Sequence, residues 1–140
     1  MSAEFVDTNV WLYAYEGGDP RQPVAIGLLQ RLRERDAGRI SVQVLQEFAV
    51  NAARPAKNGM AADEVREALE SMCDWPCYRP LPPDVPAALD CAEANKISFW
   101  DAMIVVSASR LGCSIIWTED LNDGQVIDGV TIKNPFAESA

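Results

Sequence analysis

The 140-residue chain contains no histidine. That absence removes Ser-His-Asp and Cys-His nucleophiles and histidine-based proton transfer, so any catalysis must run on carboxylates, hydroxyls, lysine or a metal ion. Basic residues are scarce too: 12 Lys and Arg stand against 21 Asp and Glu, for a net charge of -9. This balance argues against a generic basic nucleic-acid-binding surface. A phosphate-rich substrate would need local cations or a partner. Long apolar runs are missing, and the N-terminus shows no basic region followed by an apolar stretch, so the expectation is a cytosolic protein that does not span a membrane. There are only four cysteines, Cys73, Cys77, Cys91 and Cys113. Zinc would need all four thiolates, and their spacing fits no usual pattern. Reduced, mostly buried thiols are expected instead.

What is present suits one folded domain over residues 1–140. Hydrophobic residues make up 49 % of the chain, enough for a full core. Strand-like and helix-like stretches alternate. "EFVD" opens as a strand, Thr8 and Asn9 are cap formers, and "VWLY" starts a helix; Pro23 starts a helix through "VAIGLLQRLRER", which Gly38 ends. "RISVQ" is a second strand and "VLQEFAVNAA" a helix. "AADEVREALESM" is amphipathic, "CYRPL" is a short strand, and "ALDCAEAN" is a helix opened by Pro83 or Pro86. Ser98 caps "FWDAMIVVSASRL", "SIIWT" is a strand, and "VIDGVTI" adds a terminal strand or hairpin. Strands separated by helices imply an α/β fold with a mainly parallel sheet.

Four acids occupy informative contexts. Asp7 sits where the first strand gives way to a helix, the kind of place where open α/β sheets build ligand sites, although a helix cap accounts for it locally. Asp120, in "TED", follows the strand "SIIW" and is also ordinary turn chemistry. Asp101 is the third residue after Ser98, a capping-box position. Yet it precedes "AMIVVSA", and no Lys or Arg lies between Lys96 and Arg110. A carboxylate at the start of so apolar a helix must be paired, protonated or coordinated. Glu47 shares a helix stripe with Gln43, Asn51 and Arg54, opposite Leu45, Phe48, Ala49 and Ala52. Periodicity leaves open whether that stripe faces solvent or a polar cavity.

Taken in order, "FVDTNVWLYAY", "VLQEF", "SFWDAMIVVSA" and "WTEDLNDGQVIDGVTIKNPF" resemble the PIN-domain family, particularly the small endoribonuclease toxins of VapBC-type toxin–antitoxin pairs. The resemblance implies a three-layer α/β/α sandwich around a mainly parallel sheet of about five strands. It also implies an acidic pocket of Asp7, Glu47, Asp101 and Asp120, accompanied by Thr8, Asn9, Ser98 and Thr118. Asp123 stands as a substitute for Asp120. Oxygen-only ligands suit Mg²⁺ or Mn²⁺ rather than zinc. Asp7, Asp101 and Asp120 are the expected metal ligands. The implied reaction is hydrolysis of RNA by an ion-activated water, leaving a 5′-phosphate and a 3′-hydroxyl. The roles of Glu47 and Asp120, metal ligand or water-orienting base, stay open.

The implied partners are a second copy of the chain and a cognate antitoxin that is basic where it covers the acids. "VWLYAY" with "VAIGLLQRL" offers a docking groove, though core packing explains both stretches as well. Arg54, Lys57, Lys96 and Arg110 are candidates for phosphate contacts. A competing reading is a PIN-like module that binds RNA or protein without catalysis. A phosphotransfer domain fits less well: an aspartate-nucleophile phosphatase wants an acid where Asn9 stands, and Lys133 is poorly placed for a receiver.

Overall fold

The computed structural model describes residues 2–137. Its elements run β1 (Ala3–Val6), α1 (Thr8–Ala14), α2 (Gln22–Glu34), β2 (Gly38–Ser41), α3 (Val42–Ala52), α4 (Ala62–Met72) and β3 (Cys77–Tyr78). They continue with α5 (Asp84–Asn95), α6 (Phe99–Arg110), β4 (Cys113–Trp117), β5 (Val126–Ile127) and β6 (Val130–Lys133). The sheet order is β3-β2-β1-β4-β6-β5. The first five of these are mutually parallel and β5 runs antiparallel to β6 at the edge. The expected five-strand parallel sheet is therefore present, with a sixth strand added by a hairpin. "VIDGVTI" forms that hairpin because Asp128 (φ 49°) and Gly129 (φ 80°) both take the left-handed backbone that a two-residue turn needs.

Both faces of the sheet are covered. Glu4, Phe5 and Val6 are consecutive and all buried, although successive strand residues point to opposite faces. Helices α1 to α4 form one packed group, and α5 with α6 forms another. Residues Ala102 to Ala108 of α6 are all buried, as the apolar run "AMIVVSA" requires. The junction between α2 and β2 differs from expectation. Gly38 does not end the second helix: Asp36, at φ 51°, makes that exit, and Gly38 starts β2. A β-carbon at Gly38 would collide with the Trp75 ring, which in turn packs edge-on against Trp11.

The thiols are all free, but only Cys91 and Cys113 are buried; Cys77 is half-buried and Cys73, which caps α4, is exposed. The apolar side chains of "VWLYAY" and "VAIGLLQRL" serve mainly the core, through Val10, Trp11, Ala25, Leu28 and Leu32. Among the described residues no helix is long and apolar enough to cross a membrane.

Candidate active site

The sheet grows outward from its centre: β1 lies between β2 and β4, with later strands added on each side. Crevices in such sheets open at the carboxyl ends of the strands where the order reverses. Val6 pairs with Trp117, so Asp7 and Thr118 leave neighbouring strands side by side. The Asp7 N–H donates to the Trp117 carbonyl at 3.0 Å.

Asp7 caps α1 and is bonded to Thr118 at the end of β4. As N-cap of α1 its Oδ1 accepts from the Thr8 N–H at 2.7 Å, and its Oδ2 accepts from the Thr118 hydroxyl at 2.9 Å. The same hydroxyl oxygen accepts from Asn9 Nδ2 at 3.0 Å and from the Asp120 N–H at 3.1 Å. Asn9 Nδ2 also donates to Asp120 Oδ2 at 3.1 Å. Thr118 and Asn9 thus fasten Asp7 and Asp120 to one frame. Glu47 arrives from α3 and accepts from the Thr8 hydroxyl at 2.7 Å, which fixes its stripe toward the pocket rather than toward open solvent.

Gln43, one turn before Glu47, was not expected to take part. It is buried, and its Nε2 donates to Glu47 Oε2 at 3.3 Å and to the Trp100 carbonyl at 3.1 Å. That link ties α3 to the first turn of α6, where the Asp101 N–H donates to Ser98 Oγ at 3.0 Å. The i, i+4 spacing of Gln43 and Glu47 was the visible signal.

Burial pushes the Asp7 carboxyl from 3.8 up to about 7; the bonds from Thr8 and Thr118 oppose the rise, and the charges of Glu47 and Asp120 add to it. Burial also raises Asp101, against the Ser98 bond, and again Asp120 and Glu47 contribute. Asp7 and Asp101 therefore both feel the same two acids. No cation answers them: the ion pairs among the described residues are Arg21–Asp19, Arg35–Glu4 and Arg110–Asp84.

Hard divalent cations take oxygen donors, and this donor set holds only oxygens and amides. Among the described residues no three acids or thiols form a ready-made metal cage.

Asp123 lies apart from this network. Its Oδ1 accepts from the Asn134 N–H at 2.8 Å, tying its turn to the end of β6. Arg110 is not free for phosphate, because its Nε donates to Asp84 Oδ1 at 3.1 Å. Lys96 is the left-handed C-cap of α5. An open groove of about 450 Å³ extends from Thr8, Asn9, Glu47 and Asp120 along α1 to Lys57 and Asn58. Tyr13 lines it and donates to Glu119 Oε1 at 2.7 Å; burial, then the Glu119 bond, push the phenol up to about 12.

Solved structures share this fold at low sequence identity. VapC20 of Mycobacterium tuberculosis, described as a sarcin-ricin loop cleaving toxin, is 18 % identical with a TM-score of 0.65, covering 84 % of this chain and 90 % of its own. A chain of the Rickettsia felis VapBC2 complex bound to promoter DNA is 14 % identical with a TM-score of 0.68, covering 94 % and 98 %. A chain of FitAcB from Neisseria gonorrhoeae is 17 % identical with a TM-score of 0.64, covering 95 % and 98 %. No curated protein sequence matches the chain significantly. The PIN-domain family model matches residues 5–124, a span that includes Asp7, Glu47, Asp101 and Asp120; the chain belongs to the PIN-domain family.

Proposed function

We propose that this protein is an endoribonuclease dependent on a divalent cation, and that it is the toxin of a type II toxin–antitoxin pair. The observation that carries the reading is Asp7: a buried carboxylate with two hydrogen bonds, two acidic neighbours and no cation. A buried carboxyl in that position either keeps its proton or takes a positive ligand. The toxin role draws its support from the family and from the likeness to VapC20 and the VapBC complexes.

Asp7, Asp101 and Asp120 would hold the ion, Mg²⁺ or Mn²⁺. When bound, it supplies an acidified water and positive charge for the phosphoryl group. The chain's own residues prepare the place. Thr118 and Asn9 keep Asp7 and Asp120 in fixed orientation. Thr8 and Gln43 aim Glu47, whose free lone pairs can accept a proton from the attacking water. The backbone frame at the end of β1 and β4 keeps these acids from collapsing apart under their own repulsion.

Attack by water leaves a 5′-phosphate and a 3′-hydroxyl. A route through the RNA 2′-hydroxyl would instead require an acid/base pair, and the chain has no histidine. The proposed partners are RNA, a second copy of the chain, and an antitoxin that places basic side chains over the acids; the proposed location is the cytoplasm. The test is incubation of purified protein with labelled RNA in Mg²⁺, Mn²⁺ or EDTA, followed by analysis of the product ends. Cleavage only with metal and with 5′-phosphate ends is expected. Undiminished cleavage in EDTA, or 2′,3′-cyclic phosphate ends, would overturn the mechanism; no cleavage of any RNA would favour a binding module.

A further inference from the structure

The groove that leaves the pocket is strongly acidic. Glu16, Asp19, Glu47, Glu119 and Asp120 line it, and Lys57 is its one lining cation. RNA entering such a groove meets repulsion everywhere except at the pocket ion and at Lys57. Arg21, beside the groove over the Tyr13 ring, is already neutralised by bonds from Nε and Nη2 to Asp19, each at 3.0 Å. Arg54 is exposed and leans on Asn51 at 3.3 Å. Lys57 closes no ion pair among the described residues, although five carboxylates share its groove.

The backbone that carries Lys57 is tied down. The loop after α3 is folded on itself by bonds from the Lys57 and Gly59 N–H groups to the Arg54 carbonyl at 2.9 and 3.0 Å. Met60 N–H returns to the Ala52 carbonyl at 2.9 Å. Asn58 Nδ2 then donates to the Leu12 carbonyl at 2.7 Å, pinning the loop to α1. Leu12 lies about one helical turn from Thr8. The loop backbone that carries the lysine is therefore attached to the helix that carries Thr8 and Asn9.

We propose that Lys57 receives a backbone phosphate of the RNA next to the one being cut, so that the strand runs from the pocket along α1 to the loop after α3. Asn58 acts as a positioning residue, through the loop. The inference rests on the nuclease reading and deepens it. A lysine acting as a point charge on phosphate reads no base, so it sets register without sequence preference.

The experiment compares wild type with Lys57→Ala, Lys57→Arg and Lys57→Glu, with the exposed Arg66→Ala as control. Two readouts are taken: cleavage kinetics in Mg²⁺, and binding of fluorescent single-stranded RNA in Ca²⁺, each across a salt series. Lys57→Ala should raise KM about five- to twentyfold with kcat within about twofold, and should lower the slope of log affinity against log salt by about 0.7. Lys57→Glu should be worse and Lys57→Arg close to wild type. An unchanged salt slope in Lys57→Ala, with wild type cutting RNA normally, overturns the inference and leaves the nuclease reading intact. RNA bound with a Lys57-dependent slope but never cut supports the inference and overturns the nuclease reading. RNA neither bound nor cut overturns both.

Discussion

Asp7 and Asp84 are equally buried, at 5 % and 3 % exposure, and have opposite fates. Asp84 accepts from the Tyr78 hydroxyl, from the Leu81 N–H at 2.8 Å and from Arg110 at 3.1 Å. Those bonds, the Tyr78 one first, hold its carboxyl below the ordinary value. Asp7 has comparable hydrogen bonding but no cation, and its carboxyl rises to about 7. Glu4 repeats the Asp84 pattern, with Arg35 at 2.9 Å and Trp117 Nε1 at 2.8 Å. Asp84 and Glu4 have their own counter-charges; Asp7, without one among the described residues, is the acid proposed above to take a cation.

The largest expected effect separates the two acids by chemistry. Asp7→Asn and Asp101→Asn should each reduce RNA cleavage by on the order of 10³, because each removes charge from the site that must hold the ion. Arg110→Met, which disarms Asp84, should leave the rate per folded molecule near wild type. Steady-state kinetics on protein shown to be folded by its melt would check both. Equal losses at the two places would erase the distinction.

Stability should separate them with opposite sign. In EDTA the native state holds the Asp7 proton up to about pH 7, whereas the unfolded chain releases it near pH 3.8. Between those values the native state binds more protons, so the contribution of Asp7 to stability is lost as pH rises through that window. The gap corresponds to at most roughly 4 kcal/mol. Asn at this position carries no such dependence. Asp7→Asn should thus gain on wild type from pH 4 to pH 8, measured by denaturant unfolding in EDTA; a constant difference across that range would mean Asp7 is ionised throughout.

Arg110→Met should instead destabilise at neutral pH, by about 1–3 kcal/mol. That is less than the cost of breaking a fully buried pair, because the arginine side chain is half exposed and Asp84 keeps two other bonds. A neutral result would make the pair decorative and weaken the contrast with Asp7.

Much of this arrangement is legible in the residues. The alternation of strands and helices, Asp7 at a strand end and Asp101 behind Ser98 all follow from local pattern; in the structure Asp7 caps α1, Ser98 caps α6 at the Asp101 N–H, and the charges of Glu47 and Asp120 act on both acids. Glu47 is different. A polar stripe has the same period whether it faces water or a cavity, and only the packing of α3 against α1 turns it toward Thr8. Arg110 and Lys57 look alike as basic residues in sequence; their surroundings separate only in the fold, where Asp84 pairs with one and Asn58 ties the loop of the other to α1. The exposed Cys73 escaped because compositional tendency says nothing about one helix end.

The most direct test of the missing counter-charge is a thermal melt of wild type and Asp7→Asn at pH 8, in EDTA and in saturating Mn²⁺. Wild type should be stabilised by the metal, by about 2.7 kcal/mol at one hundred times the dissociation constant. Asp7→Asn should melt above wild type in EDTA and lose most of the metal-induced rise. A full rise in Asp7→Asn, or none in wild type, would contradict the assignment of Asp7 as the acid that waits for a divalent cation.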